Sequence, residues 1–362
     1  MTRREWMAAL TAAMAVPRPA FSAGEKLGIP GPYPGRVVSV RHAKSIVSGA
    51  YQPEVIRQMM TKGMTELTGA PSWEEAWRVF IQPGDVVGIK VNPVGGRRLC
   101  SDPSVLHLII EGIEKAGVSR RDIVVYDRYR REFLGVGFHR WLPEGVRFSW
   151  AAEQYDDSQL GLHGYDRDQF VELPLVKPGD DPADAHVRRS YLSRFLTQQV
   201  NKVINLPVLK HHQSAGVTLA LKNLSHGMVN NVNRSHVNRW LNACNLFIPA
   251  VVEHPIIRQK VVLNILDGVK AGYNDGPGVS PQFIWEYHTM FFATDPVALD
   301  KTGWRIIDAR RKEAGLPPVA DQPPDDPFNA YRGQPEHIEL ASTLGLGVYD
   351  DARIDLRRLE LG

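Results

Sequence analysis

The sequence predicts an α/β protein with a mostly parallel or mixed central sheet, flanked by helices and interrupted by a loop-rich insert. Two observations support this fold class: apolar runs of strand length alternate with segments of helical periodicity, and turn residues separate them. The composition is that of an ordinary globular chain, since 43% of its 362 residues are hydrophobic and 23% are charged. That length is sufficient for a large core, built either as one domain or as two lobes.

The first half of the chain follows a strand, helix, strand order. Residues 36–41 alternate as a first strand, and residues 53–67 have helical spacing. An apolar strand over residues 85–92 precedes a helix over residues 102–116, and residues 122–127 form the next apolar strand. This βαβ order predicts parallel strands joined by a right-handed crossover.

The second half contains a weaker region followed by further apolar strands. Between residues 134 and 190, short pieces rich in Pro, Gly and Asp predict a loop-rich or small antiparallel insert. Residues 202–209 and 260–269 are predicted to form buried strands. Residues 289–311 predict a strand, a turn at Thr294-Asp295-Pro296 and a long helix.

The N-terminus has the features of an export signal. Paired arginines, Arg3 and Arg4, precede an apolar run over residues 6–16, and Ala20-Phe21-Ser22 forms a small-x-small cleavage site. This pattern resembles a twin-arginine signal over residues 1–22, which predicts export by the twin-arginine machinery to the periplasm or beyond. The alternative is an amphipathic helix of the mature fold. No later stretch approaches the ~20 apolar residues that cross a bilayer, so no membrane span is expected in the mature protein.

Charge and cysteine content exclude some classes of partner and cofactor. The net charge is +3, with basic and acidic residues mixed along the chain, so no nucleic-acid partner is expected. Cys100 and Cys244 are too few for a cysteine-ligated iron–sulfur cluster, and none is expected; they form either one disulfide or two buried thiols. The α/β domain is expected over residues 36–310, with residues 311–362 as a C-terminal extension packed on it.

Polar residues follow several of the predicted strands directly. In open parallel sheets, ligands bind beyond the carboxyl ends of the strands, so convergence of these residues predicts one pocket for a small anionic ligand. The alternative is that polar residues merely flank the strands, as they do in many folds. The candidate substrate-binding residues are Lys90, Asn92, Asp127, Lys210, Asn223, Asp267 and Asp295.

The densest group of titratable residues lies in "LPVLKHHQSAGVTLALKN", residues 206–223. If a helix or a turn and helix begins near Ser214, Lys222 can point back toward the strand end that carries His212. A lysine among apolar neighbours has a lowered pKa and acts as a base or nucleophile, and histidine is the usual proton shuttle near neutrality. The predicted catalytic residues are therefore Lys222, His212 and His211.

A metal is the competing interpretation of the histidines. His226 and His236 follow among asparagines, and His212 with His236 could hold a divalent ion. The sequence contains no His-Glu-x-x-His motif, no Cys-x-x-Cys pair and no acidic calcium loop that would support such a site.

Three hypotheses for function follow. The leading one is an enzyme that acts on a small hydroxy or oxo acid, in which Lys222 and His212 exchange protons while Lys90 and Lys210 bind the acid group. The second is a non-catalytic protein that binds a metal or a small ligand with the same residues. The third is a protein whose polar cluster is a hydrogen-bonded structural core.

Several segments together resemble a known family in their order and spacing. They are "GIKVNPVGG" (88–96), Asp102-Pro103, residues 204–227, "ILDGVKAGYNDGPG" (265–278) and "ATDPVALD" (293–300). This set resembles the domain-of-unknown-function family numbered 362, which is largely uncharacterised. Some members carry ferredoxin-like cysteine motifs, and this chain lacks them.

A more distant similarity concerns the spacing of His212 and Lys222. Lys222 lies ten residues after His212 with Ala215-Gly216 between them, as in the N-terminal domain of nickel-pincer lactate racemases. There, histidines and a lysine hold a pincer cofactor, and His236 lies near the place of a further family histidine. This chain departs from that pattern at Leu219-Ala220-Leu221, which replaces a second glycine-rich element.

Overall fold

A computed structural model of the chain describes residues 27–236, 243–321 and 335–362. The predicted export signal, residues 1–22, lies outside the described residues. The predicted fold class is confirmed: the described chain is an α/β structure with a mixed central sheet and helices on both faces. None of the helices in these ranges has the length and apolar character needed to cross a bilayer.

The strands are short except for two long ones in the second half of the chain. They are β1 (Arg36–Arg41), β2 (Ile46–Val47), β3 (Ala50–Tyr51), β4 (Val87–Lys90), β5 (Ile123–Tyr126), β6 (Arg147–Ser149), β7 (Tyr165–Glu172), β8 (Arg189–Ser193), β9 (Lys202–Asn205), β10 (Val208–His212), β11 (Gly216–Thr218), β12 (Val261–Gly272), β13 (Ile284–Ala293) and β14 (Asp355–Glu360).

Two of the long α-helices begin at an aspartate cap followed by proline. Asp102 precedes Pro103, and its side chain accepts a hydrogen bond from Ser104 N. In the same way, Asp295 precedes Pro296, and its side chain accepts a hydrogen bond from Val297 N. The helices are α1 (Pro53–Thr68), α2 (Trp73–Arg78), α3 (Pro103–Lys115), α4 (Arg130–Val136), α5 (Phe138–Trp141), α6 (Ala185–Arg188), α7 (Ala220–Met228), α8 (Cys244–Val252), α9 (Pro255–Lys260), α10 (Pro296–Glu313) and α11 (His337–Thr343).

The central sheet has the strand order β14, β1, β13, β12, β9, β4, β5, β6. The strands from β12 through β9, β4 and β5 to β6 are mutually parallel, whereas β13 is antiparallel to both β12 and β1. The carboxyl ends of β4, β5 and β9 therefore lie at one edge of the sheet, where the sequence placed its polar strand ends.

The segment predicted as one strand over residues 202–209 is two strands. Pro207 lacks an N–H group and interrupts the ladder, so β9 ends at Asn205 and β10 begins at Val208. Strand β9 pairs with the first part of β12, and β10 pairs with its last part, where Lys210 lies opposite Gly272. Strand β10 thus runs beyond the carboxyl edge of β9 and, with β11, builds a wall above it.

Strand β7 lies within the predicted insert and pairs antiparallel with β8, which begins at its end, apart from the central sheet. Beyond residue 310, β14 pairs in parallel with β1, and α11 packs against α8. Apolar side chains fill both faces of the sheet: α1 and α3 cover one face, and α7, α8 and α10 cover the other. Cys100 and Cys244 are free thiols, so the alternative of a disulfide is not realised.

Candidate functional site

A cavity of about 310 Å³ lies at the carboxyl ends of β4 and β5, beneath the wall formed by β10, β11 and α7. Many of the site residues predicted from the sequence line it. The predicted site residues that line it are Lys90, Asn92, Asp127, His212, Lys222, Asn223 and His236. The structure therefore brings these residues together at the strand ends of the parallel half of the sheet.

A chain of asparagine side chains connects the strand ends beneath the cavity. Asn223 Oδ1 accepts from Asn92 Nδ2 at 3.0 Å, and Asn223 Nδ2 donates to Asn205 Oδ1 at 2.7 Å. Asn205 in turn donates to Asn264 Oδ1 at 2.9 Å, and Asn264 donates to the carbonyl of Thr294 at 3.2 Å. Because these amides are buried and mutually satisfied, they hold the floor of the cavity in one arrangement.

Lys90 and Asp127 form a buried ion pair at one side of this floor. Lys90 Nζ lies 2.6 Å from Asp127 Oδ1, and the two side chains are 2% and 6% exposed. The ammonium also donates to Val91 O at 2.6 Å and to Asn223 Oδ1 at 3.1 Å, which matches its three N–H donors. Burial lowers the pKa of Lys90, and the carboxylate of Asp127 opposes that shift.

Lys222 is carried into the cavity wall by helix α7. The carboxylate of Asp300 in α10 accepts hydrogen bonds from Ala220 N at 2.7 Å and Leu221 N at 2.9 Å, and so anchors the first turn of α7. Burial lowers the pKa of Lys222 from 10.5 to about 8. Among the described residues, none accepts a hydrogen bond from the Lys222 ammonium, in contrast to the three acceptors of Lys90.

His212 presents a hydrogen-bond donor rather than a base to the cavity. Its Nδ1 accepts hydrogen bonds from Ser214 N at 3.0 Å and Ala215 N at 3.3 Å. Burial, the largest cause, and the charge of Lys222 lower the pKa of His212 well below 6.5, so the ring is neutral near pH 7. A neutral imidazole whose Nδ1 is an acceptor carries its proton on Nε2.

The other histidines of the cavity do not complete a metal site with His212. Both ring nitrogens of His226 lie 3.0 Å from serine hydroxyls, Nδ1 from Ser225 and Nε2 from Ser235. The ring centroids of His212 and His236 are 6.2 Å apart in a stacked arrangement. A metal on His212 would require the other tautomer and the loss of two backbone hydrogen bonds. Within the described ranges, no group of three or more His, Cys, Asp or Glu residues has a metal-binding arrangement.

Two charged residues of the cavity were missed by the sequence reasoning. Arg128, which follows Asp127, is 9% exposed, and its guanidinium lies 4.2 Å from the centre of the Tyr129 ring and donates to Val229 O at 3.3 Å. Glu132, in the first turn of α4, has its pKa raised to about 7, chiefly by burial and then by Asp127. Arg128 follows the end of β5 and could have been predicted in the same way as Asp127. Glu132 lies in helix α4, and no pattern in the sequence indicated it.

Lys210 and His211 lie outside the cavity lining. Lys210 Nζ donates to Asn92 Oδ1 at 2.9 Å and to Val94 O, so it supports the floor from behind. His211 Nδ1 accepts from Gly276 N at 3.1 Å, and burial lowers the pKa of this ring to about 3. The structure thus places the predicted catalytic His211 on the opposite side of its strand from His212, because successive side chains alternate.

Asp267 and Asp295 also lie away from the cavity. The Asp267 carboxylate accepts hydrogen bonds from Tyr51 Oη at 3.0 Å and from Asp102 N at 3.1 Å. Asp295 accepts from the backbone N–H groups of Gly35, Val297, Ala298 and Val348. The structure therefore places both predicted substrate-binding residues outside the cavity lining, where their oxygens hold loops and a helix start.

Fold and site together define an α/β protein with a cavity lined by charged and polar side chains at the carboxyl edge of its sheet. The chain belongs to the family described as a domain of unknown function (DUF362), whose model matches residues 87–305. This confirms the family resemblance of the sequence motifs. The similarity to nickel-pincer lactate racemases stays a prediction.

Other comparisons show little beyond this family. A solved structure of a protein from Thermotoga maritima is similar with 12% identity and a TM-score of 0.43, covering 75% of this chain and 61% of that one. The chain thus spans about three fifths of the length of that protein. No curated protein matches the chain.

Proposed function

We propose that this protein is an enzyme that acts on a small hydroxy or oxo acid by moving a proton at a carbon next to a carbonyl or carboxyl group. The observation that carries this proposal is Lys222, a buried lysine in the cavity wall with a pKa lowered to about 8 and no described hydrogen-bond acceptor. Near neutral pH, part of this side chain is the free amine, which is a competent base.

The charge of the cavity favours an acid as its ligand. Arg128, Lys90 and Lys222 line it as cations, against the carboxyl groups of Asp127 and Glu132. Glu132 is about half protonated near pH 7 because its pKa is raised to about 7. Lys90 is already paired with Asp127, so we assign the substrate carboxylate to the guanidinium of Arg128.

The proton transfer follows from the states of Lys222 and His212. The neutral amine of Lys222 accepts the proton from carbon and becomes an ammonium, while the electron pair of the C–H bond forms an enolate or enediolate. The oxygen that gains negative charge accepts a hydrogen bond from the Nε2–H of His212. Return of a proton to carbon completes the cycle. Glu132, which lines the same cavity, is a second acid that can supply this proton.

Exchange with solvent deuterium tests the proposal without knowledge of the product. Purified protein is incubated in D₂O with lactate or with pyruvate, and proton NMR follows loss of the C2 proton of lactate and the methyl protons of pyruvate. We expect exchange well above the protein-free rate with at least one acid. Calorimetric binding of an acid without exchange would instead support the non-catalytic binding protein.

His212→Asn is expected to slow this exchange about a hundredfold, since one donor to a developing oxyanion contributes about that much. Asparagine retains an oxygen that can accept from Ser214 N, so the turn after β10 is kept. The measurement is the exchange rate at saturating acid, with the unfolding midpoint as a check on folding. An unchanged rate in a folded variant contradicts the assigned role of His212.

We further propose that residues 1–22 direct export, which would place this activity in the periplasm or outside the cell. The proposal is supported by the paired arginines, the apolar run and the cleavage site of the sequence. Fractionation of cells that express the full chain tests it: recovery in the cytoplasm alone contradicts export.

A further inference from the structure

A second cavity of about 230 Å³ adjoins the first, and Arg128 and Tyr129 line both. The remaining wall comes from the predicted insert and from the segment after α7, including Ala151, Gly161 and Asn230. Arg128 and Tyr129 thus form the part of the wall that the two spaces share. A ligand that binds Arg128 can therefore extend both into the first cavity, which Lys222 lines, and into the second.

The guanidinium of Arg128 has further N–H donors for an acid besides the one that bonds to Val229 O. No described carboxylate forms an ion pair with Arg128, which is 9% exposed, although Asp127 and Glu132 are near enough to act on its charge. Tyr129, whose ring packs against this guanidinium, is held by Gln159 Nε2, which lies 3.3 Å from its hydroxyl. A buried cation without a carboxylate partner is costly, and an anionic ligand removes that cost.

The wall of the second cavity is suited to an uncharged tail. The amide of Asn230 is already bonded to Tyr191 N and to Gly161 O, and Gln159 Oε1 accepts from Val232 N. The small residues of the wall and the Tyr165 ring, which is 3% exposed, provide apolar contact area. A cavity of roughly 150 Å³ is enough to bind benzene, so an aromatic ring fits this volume.

Acidic residues disfavour a second carboxylate in this space. Glu153 and Asp156 both line the second cavity. Asp156 is held by the Ser158 hydroxyl and by Gln159 N, which lower its pKa against the effect of burial and keep it ionised at neutral pH. The Glu153 carboxylate is paired with Arg130 at 2.6 Å, so Asp156 is the carboxylate that would repel a ligand tail with its own negative charge.

We propose that the second cavity is the tail subsite of the substrate, which makes the substrate a monocarboxylic hydroxy or oxo acid with an uncharged, apolar tail of aromatic size. This inference rests on the proposed function of the first cavity. Arg128 holds the carboxylate, Lys222 faces the reacting carbon, and the tail lies among Ala151, Gly161 and Tyr165.

Binding of three acids to the full chain tests the subsite by calorimetry. Lactate, phenyllactate and malate share the hydroxy acid and differ in a short, an aromatic and a charged tail. We expect phenyllactate to bind at least about tenfold more tightly than lactate, because the ring loses apolar surface to the cavity. Malate is expected to bind no more tightly than lactate.

Gly161→Leu is the variant that addresses the tail alone. A Cβ atom added at Gly161 meets no heavy atom within 4 Å, so the backbone has room for a side chain there, and we expect leucine to narrow the second cavity that Gly161 lines. We expect it to remove the advantage of phenyllactate while lactate affinity stays within about twofold, which also shows that the variant is folded. Gly135→Leu is the matched control, since Gly135 has equally open surroundings and lies outside both linings, and it should change neither affinity.

The outcomes separate this inference from the function on which it rests. Lactate binding without an advantage for phenyllactate, or tighter binding of malate, overturns the tail subsite and leaves the acid-binding first cavity in place. An equal loss of lactate and phenyllactate in Gly161→Leu also overturns the subsite. Failure of all three acids to bind overturns both proposals.

Discussion

Replacing Asp127 by alanine is expected to lower the free energy of unfolding by about 3–5 kcal/mol. The carboxylate lies 2.6 Å from Lys90 Nζ, and both side chains are almost fully buried. Without it, Lys90 retains two neutral acceptors, Val91 O and Asn223 Oδ1, but its buried charge loses the carboxylate hydrogen-bonded to it, in a wall that also contains Arg128 and Lys222. Urea denaturation at pH 7 measures the change.

Two controls show whether the buried charge is the cause. The double variant Lys90→Met with Asp127→Leu removes both charges and should recover most of the loss, since apolar pairs of similar volume commonly replace buried ion pairs at little cost. Arg41→Ala breaks an exposed pair with Glu360, whose side chains are 45% and 58% exposed, and should cost less than about 1 kcal/mol. An Asp127→Ala loss as small as that of Arg41→Ala would refute the assignment.

This polar floor explains why part of the site could be predicted from sequence. Lys90, Asn92 and Asp127 end neighbouring parallel strands, so a rule about strand ends brings them together without knowledge of packing. The same rule does not predict the position of Asn223, because Asn223 lies in helix α7 and its position depends on where that helix begins. Asp300 fixes that start across 80 positions in sequence, and such long-range contacts leave no local pattern.

The failures of the prediction also have physical causes. The sequence suggested that a strand ends near Asp267, but β12 continues to Gly272 because β10 and β13 pair with its last part. Asp267 therefore lies within a strand, and its carboxylate bonds to Tyr51. The adjacent histidines could not both line the cavity, since a strand directs His211 and His212 to opposite sides.

Lys222→Met is expected to reduce the deuterium exchange rate about a thousandfold, which is within the usual range for loss of a positioned base. Methionine keeps the apolar stem in the wall of α7 and removes only the amine. Lys312→Met is the matched control, because Lys312 is exposed in the last turn of α10, outside both cavities. Exchange that persists in Lys222→Met identifies another group as the base.

The same variant is expected to be more stable than the natural protein at pH 7. The pKa of Lys222 is about 8 in the folded state, against 10.5 for an unperturbed lysine. Below pH 8, both the folded and the unfolded states therefore carry the proton. The free-energy cost of burying the charge is then present in full. Stability of the natural protein then rises with pH between about 8 and 10.5, because the unfolded state binds more protons there.

The expected gain for Lys222→Met at pH 7 is up to about 3 kcal/mol, since each pH unit between the two pKa values corresponds to about 1.4 kcal/mol. Urea denaturation of both proteins at pH 7 and pH 10 measures it, and the difference between them should shrink at the higher pH. A structural lysine would give the opposite result, because its loss would destabilise the fold. A side chain whose removal stops exchange and stabilises the chain is one that the fold tolerates for the sake of its chemistry.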